Sequence, residues 1–342
     1  MRILVGISGG VDSALAAKRL MDQGHEVEGA ILIMHEHTDV AAAEEVAESL
    51  GINLHKIYIT SEFLAVMSNF VEEYTHGRTP NPCIICNERV KFSRLYNYAD
   101  VMGYDAIATG HYARILQLEN GRYTLKMSAT AAKDQTYALC NLSQEQLAGT
   151  RMPLGDYTKD EIRAIASEIG LPVAEKAESM EICFIPDNNH GEFIKRAKPN
   201  QIRPGYFVDK DGNKLGKHKG IVFYTIGQRK GLGLSLGTPV YVTDIVPFNN
   251  TVVVGSEEDI FKTELLAKDI NLISIDELTE PLEVEAKIRY SGKPTSAIIY
   301  PLEDNKVKVV FKEKVRAITK GQSVVFYKDD YVVGGGVIDK IL

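Results

Sequence analysis

Over the first 110 residues, apolar positions fall into two alternating kinds of run. Short apolar-rich runs, Ile3 to Ile7, Val27 to Met34, Leu54 to Ile59 and Ala106 to Ala108, read as strands, the first of them buried. Between them the apolar positions follow helical spacing. Val11, Ala14, Leu15, Ala17, Lys18 and Met21 form one stripe that ends at Gly24. Val46, Ala47 and Leu50 form another, with Asp39 as its cap and Gly51 past its end. Further helices are expected around Glu62 to Tyr74 and Glu88 to Met102. This β-α-β-α order predicts an α/β domain built on a mostly parallel sheet with helices on both faces.

After Gly110 the pattern loosens. Asn120-Gly121 signals a hairpin, and Thr158-x-x-Glu161 caps a helix that runs to Ile169-Gly170, so a small helical extension of the first domain is expected. From Pro204 onward short β-rich runs take over, with turns at Asp211-Gly212, Asn249-Asn250, Glu303-Asp304-Asn305 and Lys328-Asp329-Asp330. A small barrel is expected in the last third. The division drawn is residues 1–200, 201–262 and 263–342, and a length of 342 residues agrees with two or three domains of about 150 each.

Composition excludes several classes. Hydrophobic residues make up 44% and charged residues 25%, the balance of a folded globular chain. No uncharged apolar run approaches the roughly 18 residues of a membrane span, and no secretory signal is visible, so a cytoplasmic protein is expected. Four cysteines are too few for a disulfide framework, which turns attention to Cys83-x-x-Cys86 as metal or redox chemistry. The net charge is −7. Between Lys195 and Lys230, however, ten cations face only Asp209 and Asp211. That segment is either a confined polyanion site or a solvated surface.

Gly6-Ile7-Ser8-Gly9-Gly10-Val11-Asp12-Ser13 joins the first strand to the first helix, where open α/β sheets bind ligands. Small residues let a phosphate approach the backbone, and the free N–H groups of the helix start attract it. The lysine of a Walker A loop is missing, and so is the third glycine of a dinucleotide fingerprint. SGGVDS after a hydrophobic strand instead resembles the PP-loop ATP pyrophosphatases, which activate an oxygen as its adenylate. That likeness implies ATP on Gly6 to Ser13, Mg²⁺ positioned with help from Asp12, and Leu32 on the adenine side.

Cys83 and Cys86 lie where a Pro-punctuated loop enters a helix, and a helix N-terminus would lower a thiol pKa there. Half a zinc site is the competing reading, but no second Cys-x-x-Cys follows. Cys183, taken alone, reads as a buried strand cysteine, and Cys140 as an ordinary core one.

Six motifs then occur in a telling order: SGGVDS, GRTPNPCIICN (77–87), ATGHYAR (108–114), KDQTYAL (133–139), ESMEICFI (178–185) and YTIGQRKGLG (224–233). Together, over nearly the whole chain, they resemble the tRNA-specific 2-thiouridylases, the bacterial MnmA and mitochondrial TRMU family. The resemblance implies an N-terminal PP-loop domain (adenine nucleotide alpha hydrolase-like), a small central β-rich domain that binds tRNA and a C-terminal β-barrel. It implies Cys86 as nucleophile and Cys183 as persulfide carrier, paired as a disulfide after turnover. ATP would adenylate C2 of the wobble uridine before sulfur attack. Asn81, Pro82 and Cys83 would touch the target base and Gly110 would contact ATP. His111, Lys133, Asp134, Gln135, Arg289, Tyr290 and Gln322 would meet tRNA, and the partners implied are wobble-uridine tRNAs for Lys, Glu and Gln and a protein persulfide donor.

Two departures from the family are visible. Many members carry Asp where this chain has Cys83, so Cys83, Cys86 and Cys183 could instead ligate a [4Fe-4S] cluster. The stretch from Leu32 to Glu44 is also short for the family. The rival readings are a PP-loop ligase acting on a small molecule and an RNA-binding barrel protein with a degenerate nucleotide loop.

Overall fold

A computed structural model of the chain describes residues 1–168 and 182–342. The first domain opens with β1 (Arg2–Gly6), α1 (Val11–Asp22), β2 (Glu26–Ile33), α2 (Val40–Leu50), β3 (Leu54–Tyr58) and α3 (Thr60–Thr75). A short α4 (Pro82–Cys86) runs through a π-helical stretch, Asn87–Phe92, into α5 (Ser93–Met102), followed by β4 (Ala106–Ala108). Ile3, Leu4 and Val5 have no exposed surface, as expected for a strand covered on both faces. The sheet runs β3-β2-β1-β4 and is closed at its edge by β7 (Thr150–Arg151), with every pairing parallel. The expected caps form: Asp39 accepts the Ala42 N–H at 3.1 Å, and Gly51 closes α2 at φ +65°.

The hairpin at Asn120-Gly121 also forms, as β5 (Ala113–Gln117) and β6 (Tyr123–Met127), but its destination corrects the expected helical extension. It adds to the C-terminal sheet, with Tyr331 opposite Lys126 and the Thr124 hydroxyl donating to the Val332 carbonyl at 2.6 Å. Helices do follow: α6 (Thr136–Leu139), α7 (Gln144–Ala148) and α8 (Lys159–Glu168), the last opened by the Thr158/Glu161 capping box. The expected end of that helix at Gly170 lies outside the described residues, as do the first residues of the ESMEICFI motif.

The central unit begins with α9 (His190–Ala197) and holds four strands, β8 (Gly205–Val208), β9 (Lys214–His218), β10 (Tyr241–Val246) and β11 (Thr251–Gly255), in the order β10-β11-β8-β9. The last unit is a closed antiparallel barrel of β12 (Phe261–Leu272), β13 (Leu282–Lys287), β14 (Thr295–Leu302), β15 (Lys306–Arg316), β16 (Ser323–Lys328) and β17 (Tyr331–Ile341). The order β12-β15-β14-β13-β16-β17 is closed by pairing of β12 with β17. One of the apolar cores spans the first domain and the barrel: Leu4, Phe92 and Tyr137 of the first domain pack in the same cluster as Ile273, Val325, Tyr327 and Val332 of the barrel. Burial of such side chains stabilises by about 1.5–3 kcal/mol each, so the barrel is held firmly against the loop it faces. Among the described residues no helix is long and apolar enough to cross a membrane.

Candidate active site

The glycine-rich loop folds as a cradle. Gly9 takes φ +71°, and a Cβ there would lie 2.7 Å from that of Ala42, so only glycine fits the turn. Gly10 is the N-cap of α1 and no side chain caps it, which leaves the dipole end of a 12-residue helix facing the loop. The Ser13 hydroxyl braces the loop, accepting the Ser8 N–H at 3.1 Å and donating to the Gly10 carbonyl at 2.9 Å. Asp12 begins the helix and accepts the Tyr112 hydroxyl at 2.8 Å. Such a cradle fits a phosphate chain, and a carboxylate beside it suits a magnesium ion that is held mainly by phosphates. Leu32, at the end of β2, is buried in the core beside Ile57 and Phe63.

Gly110 meets the cradle from the other side. A Cβ on it would lie 2.7 Å from the Asp12 carbonyl carbon and 2.9 Å from the Ser13 nitrogen. The next residue, His111, accepts or donates at 2.9 Å to the Thr109 hydroxyl and lies 5.6 Å from the Phe92 ring, centre to centre. Burial, with Lys91 nearby, pushes the His111 imidazole down to about 3, so it is neutral at physiological pH.

Phe92 and Lys91 belong to the π-helical stretch that follows Cys86. Lys91 also lies near the three thiols. Cys86 is buried, whereas Cys83 and Cys183 are exposed, and all are free. Cys86 lies close enough to Cys83 and Cys183 for each to raise its pKa electrostatically, and Cys83 does the same to Cys183. Lys91 acts in the opposite sense on all three. Cys183 sits in a turn and not in a buried strand, contrary to the expectation drawn from its neighbours. Those neighbours anchor it: the Phe184 ring packs on Phe63, Phe70 and Phe193 at 5.4–5.8 Å, and Ile185 is buried.

The expected activation of the thiols by a helix N-terminus is also corrected. Cys86 ends α4, which continues without a break into the π-helical stretch, so no exposed dipole end faces it. Burial dominates instead and pushes the Cys86 thiol up to about 11, while Cys83 and Cys183 are raised for the same reason. Cys140 behaves as the ordinary core cysteine expected, fully buried and pushed up to about 12.

Residues 77–82 are stitched to the barrel. The Thr79 N–H donates to the Lys320 carbonyl at 2.8 Å, and the Gln322 side chain donates to the Thr79 carbonyl at 2.9 Å. The Arg78 guanidinium pairs with Glu73 at 2.7 Å and reaches Asp339 at 3.4 Å. Asn81 caps α4 through the Cys83 N–H, and Pro82 is buried at its first turn. Tyr290 is exposed and lies near enough to Cys83 and Asp134 to feel both charges, with its ring 6.1 Å from that of Tyr137. Lys287 lies over both tyrosines.

The remaining expected RNA contacts are unequal. Asp134 is buried and spent on the Ser128 N–H and the Thr136 hydroxyl, and Gln135 accepts the Tyr112 N–H at 2.8 Å. Both shape the segment that carries half-buried Lys133 and offer little to a ligand in this arrangement. Arg289 donates to the Arg316 and Ala317 carbonyls, bracing a barrel loop. Lys91 was not foreseen from the sequence. Its signal is its position five residues after Cys86, which a π-helical turn brings onto the same face. Among the described residues no three His, Cys, Asp or Glu side chains are arranged to hold a metal ion.

The cradle abuts Gly110, His111 follows it, and Lys91 lies near both His111 and the three thiols, all on a parallel-sheet α/β domain of the nucleotide-binding class. Comparisons with known proteins agree. Residues 1–187 match a family model described as "tRNA methyl transferase HUP domain", 191–256 a "tRNA methyl transferase PRC-barrel domain", and 262–338 an "Aminomethyltransferase beta-barrel domain". The "tRNA-specific 2-thiouridylase MnmA" of Clostridium perfringens is 57% identical across all of this chain and 99% of its own length. "tRNA-specific 2-thiouridylase MnmA 1" of Clostridium botulinum is 55% identical over 99% of each chain. A 4-thiouridine synthetase–RNA complex with bound ATP aligns over 58% of this chain and 51% of its own, with 19% identity and a TM-score of 0.39. This chain belongs to the tRNA-specific 2-thiouridylase family.

Proposed function

We propose that this protein is an ATP-dependent tRNA-uridine 2-sulfurtransferase. The observation that carries the reading is the convergence of Cys183 on Cys86 and Cys83, beside a strand-end histidine whose preceding glycine abuts the phosphate cradle. A urea-like carbonyl is a poor electrophile, and its oxygen leaves poorly. ATP, as a substrate, converts the C2 oxygen of the wobble uridine into an adenylate, and the α1 N-terminus with Ser8 to Ser13 stabilises the departing pyrophosphate. Mg²⁺ on the phosphates would further neutralise that charge, with Asp12 the carboxylate beside them.

Sulfur arrives on Cys183, whose exposure suits receipt from another protein's persulfide. The Cys86 thiolate attacks the Cys183 Sγ. The bond to the outer sulfur breaks, hydrosulfide leaves, and a Cys86–Cys183 disulfide forms. Hydrosulfide then adds at C2 and AMP departs, giving 2-thiouridine, and a dithiol reductant returns both cysteines to thiols. Asn81, Pro82 and Cys83, on the loop beside Tyr290, face the target base, while His111, Lys133, Arg289, Tyr290 and Gln322 border it. Neutral His111 and exposed Tyr290 can stack on or hydrogen-bond to an extruded base. Lys91 restrains the rise in thiol pKa. Methyl transfer, the wording of the family model's description, would require neither a phosphate cradle nor paired thiols.

The substrates are wobble-uridine tRNAs, those for Lys, Glu and Gln, working in the cytoplasm with a protein persulfide donor. The test is nucleoside analysis of purified tRNA after incubation with enzyme, ATP, Mg²⁺ and a persulfide donor. Formation of 2-thiouridine with matching AMP, lost in Cys86→Ala and Cys183→Ala, is expected. Unmodified tRNA, or AMP release driven by a small molecule without tRNA, refutes the proposal.

A further inference from the structure

Phe248 is fully exposed, at the tip of the turn between β10 and β11. A single exposed apolar side chain is ordinary on a protein surface. The mounting of this one is not. Pro247 starts a one-turn 3₁₀ helix, and the Asn250 N–H closes it on the Pro247 carbonyl at 3.1 Å. The Asn250 side chain then donates to the Arg203 and Pro204 carbonyls, both at 3.0 Å. On its inner side Pro247 Cγ lies 2.9 Å from the position that a Cβ on Gly77 would take, so the turn rests on the first residue of the 77–87 loop that leads to the thiols.

Beside the turn runs a groove of about 190 Å³ lined by Thr75, Ile202, Arg203, Ile221, Pro247 and Asn250 among others. Arg203, from the Lys195 to Lys230 segment in which ten cations face two anions, is the cation of this groove. An exposed aromatic ring on a turn whose backbone is fixed, with an arginine in the adjoining groove, has the chemistry of a single-stranded nucleotide site: a π-face for the base and a guanidinium for the phosphate.

We propose that Phe248 is a stacking platform for an unpaired nucleobase of the RNA substrate, with Arg203 in the adjoining groove engaging the neighbouring phosphate. The proposal rests on the reading of tRNA as substrate. It assigns the central unit a direct contact with the RNA.

The chain contains no tryptophan, so Phe248→Trp creates a lone reporter. Its indole emission is expected to be quenched on addition of substrate tRNA, saturating at the concentration at which filter binding saturates. Phe248→Ala should raise KM for tRNA about 5- to 100-fold, the range that base–aromatic stacking supports, with kcat within about twofold of wild type and recovery in Phe248→Tyr. Arg203→Ala should lower the slope of log affinity against log salt by about one. If filter binding shows tRNA bound to the Phe248→Trp variant while its indole emission does not change, or if Phe248→Ala keeps the wild-type KM, the proposal is overturned and the sulfurtransferase reading stands. If wild-type protein binds no tRNA, the sulfurtransferase reading itself fails, and this proposal with it.

Discussion

Burial keeps Cys86 protonated in the resting enzyme. Its thiol is moved from 9.0 to about 11, two units or about 2.7 kcal/mol against ionisation. At pH 8 an ordinary thiol with a pKa of 9.0 is about 9% thiolate, whereas Cys86 is about 0.1%, roughly a hundredfold less. Only the thiolate is alkylated. Raising the pH removes the proton, so the rate of Cys86 alkylation should climb about tenfold per pH unit from 7 to 10 with no plateau. Iodoacetamide labelling in short pulses, read peptide by peptide by mass spectrometry, separates Cys86 from exposed Cys83 and Cys183. Lys91→Met removes the cation that opposes the rise, so the variant should label more slowly at every pH in that range. A Cys86 labelling midpoint below 9, or unchanged labelling in Lys91→Met, would refute this picture of the site.

Other outcomes follow from the same geometry. Gly110→Ala drives a Cβ into the Asp12–Ser13 backbone, and an overpacking strain of about 1–3 kcal/mol should lower tRNA-dependent pyrophosphate release at least tenfold while the circular dichroism spectrum is preserved. His111 is held neutral, its pKa lowered from 6.5 to about 3, so its stabilising contribution is present above pH 6.5 and lost as pH falls towards 3. Urea unfolding at pH 7 and pH 5 should therefore show a steeper loss for wild type than for His111→Gln, and equal losses would contradict the assignment. Gln322→Ala leaves the Thr79 carbonyl without its 2.9 Å donor and should cost about 0.5–1.5 kcal/mol in urea unfolding, with no change in Cys140 burial. Freshly purified anaerobic protein should be active and colourless, whereas an absorption band near about 400 nm that tracks activity would favour iron–sulfur ligation by the three cysteines.

The parallel sheet and its phosphate loop were legible because both are local: the strands are short apolar-rich runs, and α2 carries both of its caps, Asp39 and Gly51. The destination of the β5–β6 hairpin was not legible. Asn120-Gly121 specifies the turn, but nothing near it encodes that Lys126 will lie opposite Tyr331, about two hundred positions later. The environment of the thiols was misjudged for a related reason. A helix start was visible at Pro82, but the absence of a helix end after Cys86 depends on the π-helical continuation, and burial depends on Phe184 returning from the far side of the chain. Asp134 and Gln135 show the same limit. The resemblance implies tRNA contacts there, and only the fold shows that Asp134 accepts the Ser128 N–H and the Thr136 hydroxyl and that Gln135 accepts the Tyr112 N–H. Tyr290 lies far from Cys83 in sequence, so its nearness to that thiol is a product of barrel docking alone.

The most direct measurement is the cysteine state after a single turnover. Enzyme loaded with persulfide on Cys183 is mixed with ATP, Mg²⁺ and unmodified tRNA without reductant, quenched in acid with alkylating agent, and mapped by mass spectrometry. A Cys86–Cys183 disulfide that accumulates one-for-one with 2-thiouridine is the predicted result. Formation of 2-thiouridine while Cys86 remains a free, alkylatable thiol would contradict the account.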